Sequence, residues 1–400
     1  KDDGLWLGTE SNGLLYYHPD RFKFKNYDAS FFNLSANKRL AIHCLIDFNN
    51  DLLVGTENGL YHFSNDKKSL LLFSGIPSDA YCDQLVEDSK NRIWICTRQY
   101  GIYSIDHGNV KQFNFPFVCQ YLYETPDGQF YLTTTEGFGL FDPETGKYEL
   151  VKASADLGHI FQLIQFSKNQ LLGVMYAEKG LFVYNTKSKT IEYPNDSTYQ
   201  FLVHRNKKYH DIFIDHRNMI WFGTQDGLYV YNPSDGFSRC FFKEDGLMNN
   251  NIRSIAEDKQ GRIWVSASYG ISCISIIKEG KDYSFSFSNF NHLDGVIGNE
   301  FMPRSVGKTK DNKILWGGLN GFNSIDLNSY NAKKSSLTVP LISHFYISGK
   351  EIKVGNAYNG NVVLKNTINN TKELKLKYFQ NFISFDLSAL NYINPTQSYY

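Results

Sequence analysis

Histidines and carboxylates are the side chains of this sequence that could perform acid–base or metal chemistry, and their spacing gives little sign of either. His204 and His210 are six residues apart and Asp211 adjoins the second, so a metal site is one interpretation and a solvated loop between repeats is the other. Four aspartates occupy one turn position in different repeats, which indicates a structural role: Asp47, Asp88, Asp215 and Asp258. No metalloprotease, phosphate-loop, serine-hydrolase or dinucleotide motif is present. The sequence therefore predicts no catalytic residue, no cofactor and no metal.

Large side chains in short turns, and at the strand entries expected on the same face, are a better indication of function. Arginines can bond carboxylates or hydroxyls, and aromatic rings can stack on the apolar faces of sugars. On one face of the molecule such residues would form a ligand-binding surface; the alternatives are ordinary rim residues or contacts with a neighbouring domain. The candidates are Arg98, Tyr100, Tyr121, Phe138, Tyr176, Arg205, Tyr209, Tyr269 and Arg304.

A repeated unit runs through most of the chain and must position these residues. Each unit has an apolar pair that often ends in Trp, a Gly-Thr step, a short polar loop, and then Gly-Leu and an aromatic strand. The second glycine of the unit recurs eight times from Gly13 to Gly321 and falls at Gly139 in the fourth unit, with an average spacing of 44 residues. A period of about 40–50 residues with several short strands is typical of propeller blades.

The local pattern favours strands throughout. Runs such as 93–95 (IWI) and 220–222 (IWF) are continuously apolar, as in strands covered on both faces, and no unit has a helical period. We therefore predict an all-β fold, a seven-bladed β-propeller followed by the start of a small, Ig-like β-sandwich. Trp94, Trp221 and Trp264 should occupy equivalent buried strands.

The repeat also predicts how the chain divides. Residues 1–34 are either the tail of a preceding blade or a strand that closes the ring, and residues 35–330 form the propeller. Residues 331–340 are a linker, and 341–400 are a truncated sandwich with strands over 341–347, 374–378 and 382–387. Both ends interrupt a pattern, so we expect a piece of a longer protein.

Charge and cysteine content exclude some functions. Lys plus Arg number 41 and Asp plus Glu number 41, so no overall field would attract nucleic acid, and we expect none as a partner. The sequence contains no run of 18 apolar residues, the length that could span a membrane. The six cysteines form no CxxC pair and are expected in the core or in loops, with a Cys82–Cys119 disulfide left open.

Two segments resemble a known family. Residues 251–265 (NIRSIAEDKQGRIWV) resemble the two-component regulator propeller repeat. The segment GNEF at 298–301, followed by NKILWGGLNGF at 312–322, resembles the closing repeat that precedes a triple-tyrosine domain, and 341–400 resemble the start of that domain. The resemblance covers essentially the whole chain and is weakest in the fourth and fifth repeats, where Tyr131 and Leu172 replace Trp.

The resemblance implies the periplasmic sensor region of a Bacteroides-type hybrid two-component system, anchored in the inner membrane through its parent chain. Such a region would bind polysaccharide-derived oligosaccharides and signal to the transcription of glycan-utilisation genes. Its other partners would be a second propeller and stalk of the same parent chain and a second copy in a homodimer. The fragment itself would not be an enzyme, although the parent would be a histidine kinase.

Two other functions stay open on the sequence alone. Neutral charge and plain repeats favour a non-catalytic protein-interaction scaffold. A propeller lyase that uses histidines on one face is the third alternative, and turnover of a polysaccharide by the purified chain would distinguish it.

Overall fold

Seven four-stranded antiparallel sheets, numbered here as blades 1 to 7, contain most of the strands. Their strands, from the inside outward, are as follows: blade 1, Ile42–Phe48, Asp51–Thr56, Gly59–Ser64 and Ser69–Leu72; blade 2, Cys82–Glu87, Ile93–Thr97, Ile102–Asp106 and Asn109–Phe113; blade 3, Cys119–Glu124, Phe130–Thr134, Gly137–Phe141 and Tyr148–Leu150; blade 4, Ile160–Ser167, Gln170–Met175, Leu181–Asn185 and Thr190–Glu192; blade 5, Tyr209–Ile214, Ile220–Thr224, Gly227–Tyr231 and Ser238–Phe241; blade 6, Ile252–Glu257, Ile263–Ala267, Ile271–Glu279 and Asp282–Phe290; blade 7, Phe301–Lys308, Lys313–Gly318, Gly321–Asp326 and Phe24–Tyr27.

The computed structural model describes residues 4–10, 13–17, 22–31, 40–49, 51–64, 69–175, 180–193, 208–280, 282–297, 300–330 and 340–388 of the 400. Its helices are short 3₁₀ turns at Lys152–Leu157, Lys243–Asp245, His292–Asp294 and Ile368–Asn370, and the described ranges contain no α-helix. No helix in them is long and apolar enough to cross a membrane.

The sheets are arranged as a ring. The innermost strand of each blade contacts that of the next, and the innermost strand of blade 7 contacts that of blade 1. Seven buried apolar clusters lie one between each pair of neighbouring blades. Because both faces of every blade are covered in this way, the middle strands carry the continuous apolar runs seen in the sequence. The fold is the predicted all-β, seven-bladed propeller.

The three tryptophans occupy equivalent positions, as predicted. Trp94, Trp221 and Trp264 lie on the second strands of blades 2, 5 and 6, each opposite the same position of the first strand. All three are at most 1% exposed.

An N-terminal strand completes the last blade. Phe24–Tyr27 pairs antiparallel with Gly321–Asp326 and is the outermost strand of blade 7. The Tyr27 ring stacks on Phe322, with centroids 4.4 Å apart, and meets the edge of Phe63 from blade 1 at 5.2 Å. Of the two interpretations of the N-terminal residues, the structure shows the ring-closing one for this strand.

One repeat glycine differs from the expected position. In blade 3 the glycine that closes the turn between the second and third strands is Gly137, with φ +122°, whereas the repeat spacing indicated Gly139. Gly139 lies within the third strand, where a Cβ would come within 2.3 Å of the Glu149 carbonyl oxygen.

A second compact unit comprises Lys1–Arg21 and Asn331–Tyr400, and the propeller unit is Phe22–Tyr330. The second unit contains the hairpin Leu5–Gly8 and Leu14–Tyr17, the sheet of Leu341–Ile347, Lys350–Glu351 and Ile383–Ser388, and the pair Ala357–Tyr358 and Asn361–Val362. The strand predicted over 374–378 is absent: this segment has no ladder partner, although Leu374 and Leu376 pack on the unit's small core. The alternating apolar residues of 374–378 therefore reflect side chains that pack on this core, and not a strand.

Candidate ligand-binding site at the channel mouth

A bulge near the start of every innermost strand positions the residues that surround the ring axis. The register with the second strand shifts within the first few residues of all seven innermost strands. In blades 1 to 6 the unpaired residue is the second of the strand, and in blade 7 the irregular stretch contains Arg304. A bulge re-aims the side chains next to it, so these residues differ from the rest of the strand. They are His43, Asp83, Gln120, Phe161, His210, Arg253 and Arg304.

In blades 2, 4, 5 and 7 the next residue of the innermost strand links that strand to the neighbouring blade. The Gln84 amide donates to the Leu122 carbonyl and accepts from the Leu122 N–H, at 3.1 and 2.7 Å. Gln162 forms the same pair of bonds with Ile212. Asp211 accepts from the Ile255 N–H at 2.8 Å, and Ser305 donates to the Ile42 carbonyl at 2.8 Å. Because the innermost strands of different blades belong to separate sheets, their backbone groups on the channel side have no partner strand. These side chains supply the hydrogen bonds instead.

Arg98 is held at the mouth of the channel by Asp83. Its Nε and Nη2 atoms clamp the two carboxylate oxygens, with the shortest bonds at 2.9 Å. The guanidinium stacks on the Tyr81 ring at 3.7 Å, and the Tyr81 hydroxyl lies 3.4 Å from His43 Nδ1. Burial lowers the pKa of His43 to about 4, so this imidazole is neutral at pH 7.

Arg304 reaches across the axis from blade 7 to blade 4. Its backbone is in the left-handed region, with φ +57°, which is uncommon for a residue with a side chain. Its Nη1 donates to the Phe161 carbonyl at 2.7 Å, and its guanidinium lies 3.9 Å from the Phe161 ring centroid and 5.4 Å from that of Tyr121. The strand irregularity and the unusual φ together aim this side chain into the channel.

Several buried polar atoms around this point have no hydrogen-bond partner among the described residues. They are His43 Nε2, Gln120 Oε1, Arg253 Nε and Arg304 Nε. Such atoms are rare in folded proteins because each costs free energy, and they concentrate where a ligand, an ion or water supplies the missing bond. We name the surface formed by His43, Tyr81, Asp83, Arg98, Gln120, Tyr121, Phe161 and Arg304 the channel mouth.

The structure brings together three of the nine predicted site residues, Arg98, Tyr121 and Arg304. Tyr100 and Tyr269 lie in turns between second and third strands: the Tyr100 hydroxyl donates to Asp79 at 2.7 Å, and the Tyr269 hydroxyl lies 3.4 Å from His292 Nδ1. Tyr176 and Arg205 fall outside the described residues.

Two predicted site residues are core residues instead. Phe138 is 0% exposed and packs on Phe182 and Tyr184 between blades 3 and 4. Tyr209 is 6% exposed and packs on Phe222 between blades 4 and 5. Both residues stand at the start of a strand, where the sequence pattern predicted a side chain on the ligand-binding face. Because each is covered by a neighbouring blade, a ligand on that face cannot contact it.

His43 and Asp83 are not among the residues predicted from the sequence. Both occupy the second position of an innermost strand, the position also held by Gln120 and Phe161. That shared strand position is the signal that could have found them.

One of the two histidines considered for metal binding lies on a buried strand. His210 is 2% exposed on the innermost strand of blade 5 and donates from Nδ1 to the Ile252 carbonyl at 2.8 Å, so the solvated-loop interpretation is wrong for it. His204 lies outside the described residues, within which no group of three His, Cys, Asp or Glu side chains could hold a metal. Cys82 and Cys119 are buried free thiols.

Parts of the sequence match a known protein family and a bacterial histidine kinase. Residues 246–269 match the two-component regulator propeller family. Histidine kinase P4 of Formosa agariphila is 25% identical over 182 residues, which are 44% of this chain and 12% of that protein.

Two solved structures from B. thetaiotaomicron have the same fold. The extracellular domain of the hybrid two-component system BT3049 covers 88% of this chain with a TM-score of 0.68 at 19% identity, and this chain spans 49% of it. That of the hybrid system BT4673 covers 97% with a TM-score of 0.61 at 19% identity, and this chain spans 53% of it. This chain thus corresponds to about half the length of those extracellular domains and to a small part of the kinase. The chain is thus a seven-bladed propeller that contains a match to the two-component regulator propeller repeat at residues 246–269, and its fold is similar to that of the extracellular domains of two hybrid two-component systems.

Proposed function

We propose that the chain is an extracytoplasmic, non-catalytic ligand-sensing region of a hybrid two-component sensor, and that it binds an oligosaccharide at the channel mouth. The repeats and the similarity to extracellular domains of such systems support the sensor role. In this proposal the parent is a histidine kinase anchored in the inner membrane of a Bacteroides-type bacterium, with this region in the periplasm. A second propeller, a stalk and a second copy of the chain complete the receptor.

The observation that carries the ligand site is the set of unpartnered polar atoms beside half-buried aromatic rings. Gln120 Oε1 and His43 Nε2 could bond hydroxyls, and the rings of Tyr81, Tyr121 and Phe161 provide apolar surface for contact with a sugar. Arginines in contact with those rings add fixed donors.

Signalling would follow from a difference in affinity. A ligand changes the equilibrium between two arrangements of a receptor only if it binds one of them better. In the parent chain that preference would alter kinase output and thereby the transcription of genes for glycan breakdown.

An array of plant and host oligosaccharides, followed by calorimetric titration with the purified 400-residue chain, tests the site. We expect a defined group of glycans to bind, and Phe161→Leu to weaken their binding by about fivefold, since a lost aromatic contact is worth about 1 kcal/mol. Tyr269→Ala, in the turn between the second and third strands of blade 6, is the matched control and should bind normally. A blank array would contradict oligosaccharide sensing by this chain, and release of reducing ends from any glycan would contradict its non-catalytic role.

A further inference from the structure

We propose that the channel mouth recognises an acidic oligosaccharide, with the carboxylate of a uronic acid residue bound by Arg304. This rests on the proposed function and narrows it to one class of ligand.

Arg304 differs from five other arginines of the ring. Arg92, Arg98, Arg217, Arg253 and Arg262 each form an ion pair with a carboxylate at 3.3 Å or less. The guanidinium of Arg304 is half-buried, and no carboxylate of the described residues is within ion-pair distance of it. A partly buried cation without a counter-ion is costly, so an incoming anion would find a strongly favourable partner.

The edge of the Arg304 guanidinium that makes no hydrogen bond to the described residues is the one suited to a carboxylate. Arg98 clamps Asp83 through Nε and Nη2, whereas the hydrogen bond of Arg304 among the described residues is made by Nη1, to the Phe161 carbonyl. Its Nε is buried without a partner. The Nε–Nη2 edge of Arg304 therefore has the fork geometry that binds a carboxylate through two parallel bonds.

The charges nearby do not neutralise this cation. Asp83 is the nearest carboxylate on the channel mouth, and its two oxygens are engaged by Arg98. Asp211 interacts electrostatically with Arg304, but burial raises the pKa of that carboxyl to about 7, so it carries only part of a negative charge at pH 7 and is mostly uncharged in mildly acidic solution.

Two further side chains suit the sugar ring that carries the carboxylate. Gln120 is 7% exposed and His43 is 9% exposed, and each has a polar atom without a partner among the described residues. Hydroxyl groups both donate and accept, so they could satisfy an amide oxygen and a neutral imidazole nitrogen. The rings of Phe161 and Tyr121 lie 3.9 and 5.4 Å from the guanidinium and provide apolar surface beside it.

Saturation-transfer NMR and calorimetry on the 400-residue chain test this with three matched pairs of probes. Short oligomers of galacturonate, mannuronate and glucuronate are compared with oligomers of galactose, mannose and glucose of the same length. We expect at least one uronate oligomer to bind at least tenfold more tightly than its neutral counterpart. Added salt should weaken that binding.

Variants then assign the carboxylate to Arg304. Arg304→Gln should weaken uronate binding at least tenfold. Arg304→Lys keeps the charge but not the paired N–H donors, so its affinity for the uronate should lie between those of Arg304→Gln and the wild type. Arg239→Gln removes an exposed arginine from the outer strand of blade 5 and should leave binding unchanged. Equal melting temperatures of the variants and the wild type check that the ring is intact.

The outcomes separate the two proposals. Equal binding of neutral and acidic oligomers, or unchanged uronate binding by Arg304→Gln, overturns the acidic-ligand inference and leaves oligosaccharide sensing in place. Failure of every uronate to bind also overturns the inference. If the broader glycan array is blank as well, the proposed function fails with it.

Discussion

At the scale of single residues, three of the four aspartates predicted at one turn position are explained by a tryptophan six positions later. Asp47 does not share that position, because it lies within the strand Ile42–Phe48 and accepts the Lys310 N–H at 2.8 Å. In blades 2, 5 and 6 one carboxylate oxygen accepts the indole N–H, at 2.8 Å from Asp88 to Trp94, and the other oxygen accepts backbone N–H groups of the turn. Asp215–Trp221 and Asp258–Trp264 repeat the arrangement. A buried indole N–H usually has such a partner, although that of Trp316, on the second strand of blade 7, has none among the described residues.

The other blades support this explanation. Blade 3 has Thr125 at the aspartate position and Tyr131 at the tryptophan position, and blade 7 has Thr309 and Leu315 there. Thr125 and Thr309 still accept the backbone N–H four residues later, both at 3.0 Å. The turn thus accepts either residue type, and aspartate occurs where an indole must be satisfied.

This pairing predicts energetic coupling in a double-mutant cycle. Asp215→Thr should destabilise the propeller by about 2–3 kcal/mol, because the Trp221 N–H loses its acceptor in a dry site. In a Trp221→Leu background the same change should cost about 1–2 kcal/mol less. Urea unfolding followed by fluorescence measures the four proteins. Asp215→Thr combined with Trp264→Leu, in another blade, is the control and should be additive; equal coupling in both cycles would contradict a specific bond.

At the scale of elements, the Gly-Thr step of the repeat forms the turn between second and third strands. The hydroxyl of Thr56 donates to the carbonyl of Gly59 at 2.9 Å and accepts the Asn58 N–H at 3.0 Å. Thr134 and Thr224 do the same in their blades. A hydroxyl that bonds on both sides of a tight turn explains why this residue type recurs in the repeat.

Ring closure depends on a strand that is distant in sequence from the rest of its blade. Tyr27, on the outermost strand of blade 7, is 6% exposed and contacts Phe322 in its own blade and Phe63 in blade 1. Without it, the outer strand would lose its main apolar contact with both blades.

We predict that Tyr27→Ala destabilises the propeller by about 3 kcal/mol, as expected for removal of a buried aromatic ring. Tyr193, which is 61% exposed at the end of blade 4, is the matched control, and Tyr193→Ala should change stability by less than about 0.5 kcal/mol. Urea denaturation of both variants measures the difference. Similar, small losses would indicate that the ring stays closed without this contact.

At the scale of the whole molecule, titratable groups buried around the channel make the stability of the ring depend on pH. Burial lowers the pKa of His43 and of His210 to about 4 and raises that of Asp211 to about 7. As pH falls from 6.5 towards 4 the histidines bind protons in the unfolded chain but not in the folded one, so their effect is to lower stability. Asp211 acts oppositely, because the folded state retains its proton while pH rises from 3.8 to about 7.

Two neighbouring variants should separate these opposite effects. Relative to wild type, Asp211→Asn should become more stable as pH rises from 5 to 7, by on the order of 1 kcal/mol per pH unit. His210→Asn, which can still donate to the Ile252 carbonyl, should instead become relatively more stable as pH falls from 6.5 to 4.5, by a similar amount. Unfolding free energies measured in urea across this range provide the test; parallel profiles for both variants would contradict the buried titrations.

The sequence by itself determined the blade count, the all-β class and the equivalence of Trp94, Trp221 and Trp264. These follow from local patterns, since strand length, apolar runs and turn residues repeat with every blade. It also located the face on which Arg98, Tyr121 and Arg304 lie, because the turns and strand entries of all blades point to the same side of a propeller.

Only the tertiary structure decided which of those residues meet. Phe138 and Arg304 look alike as large side chains near turns, yet one is covered by the next blade and the other extends across the axis to Phe161, 143 residues earlier. Whether a side chain faces a neighbouring blade or the channel depends on bulges and on contacts between strands far apart in sequence, and a repeat pattern does not encode these. For the same reason, the sequence left open whether the N-terminal residues close the ring, and the pairing of Phe24–Tyr27 with blade 7 became clear only in the structure.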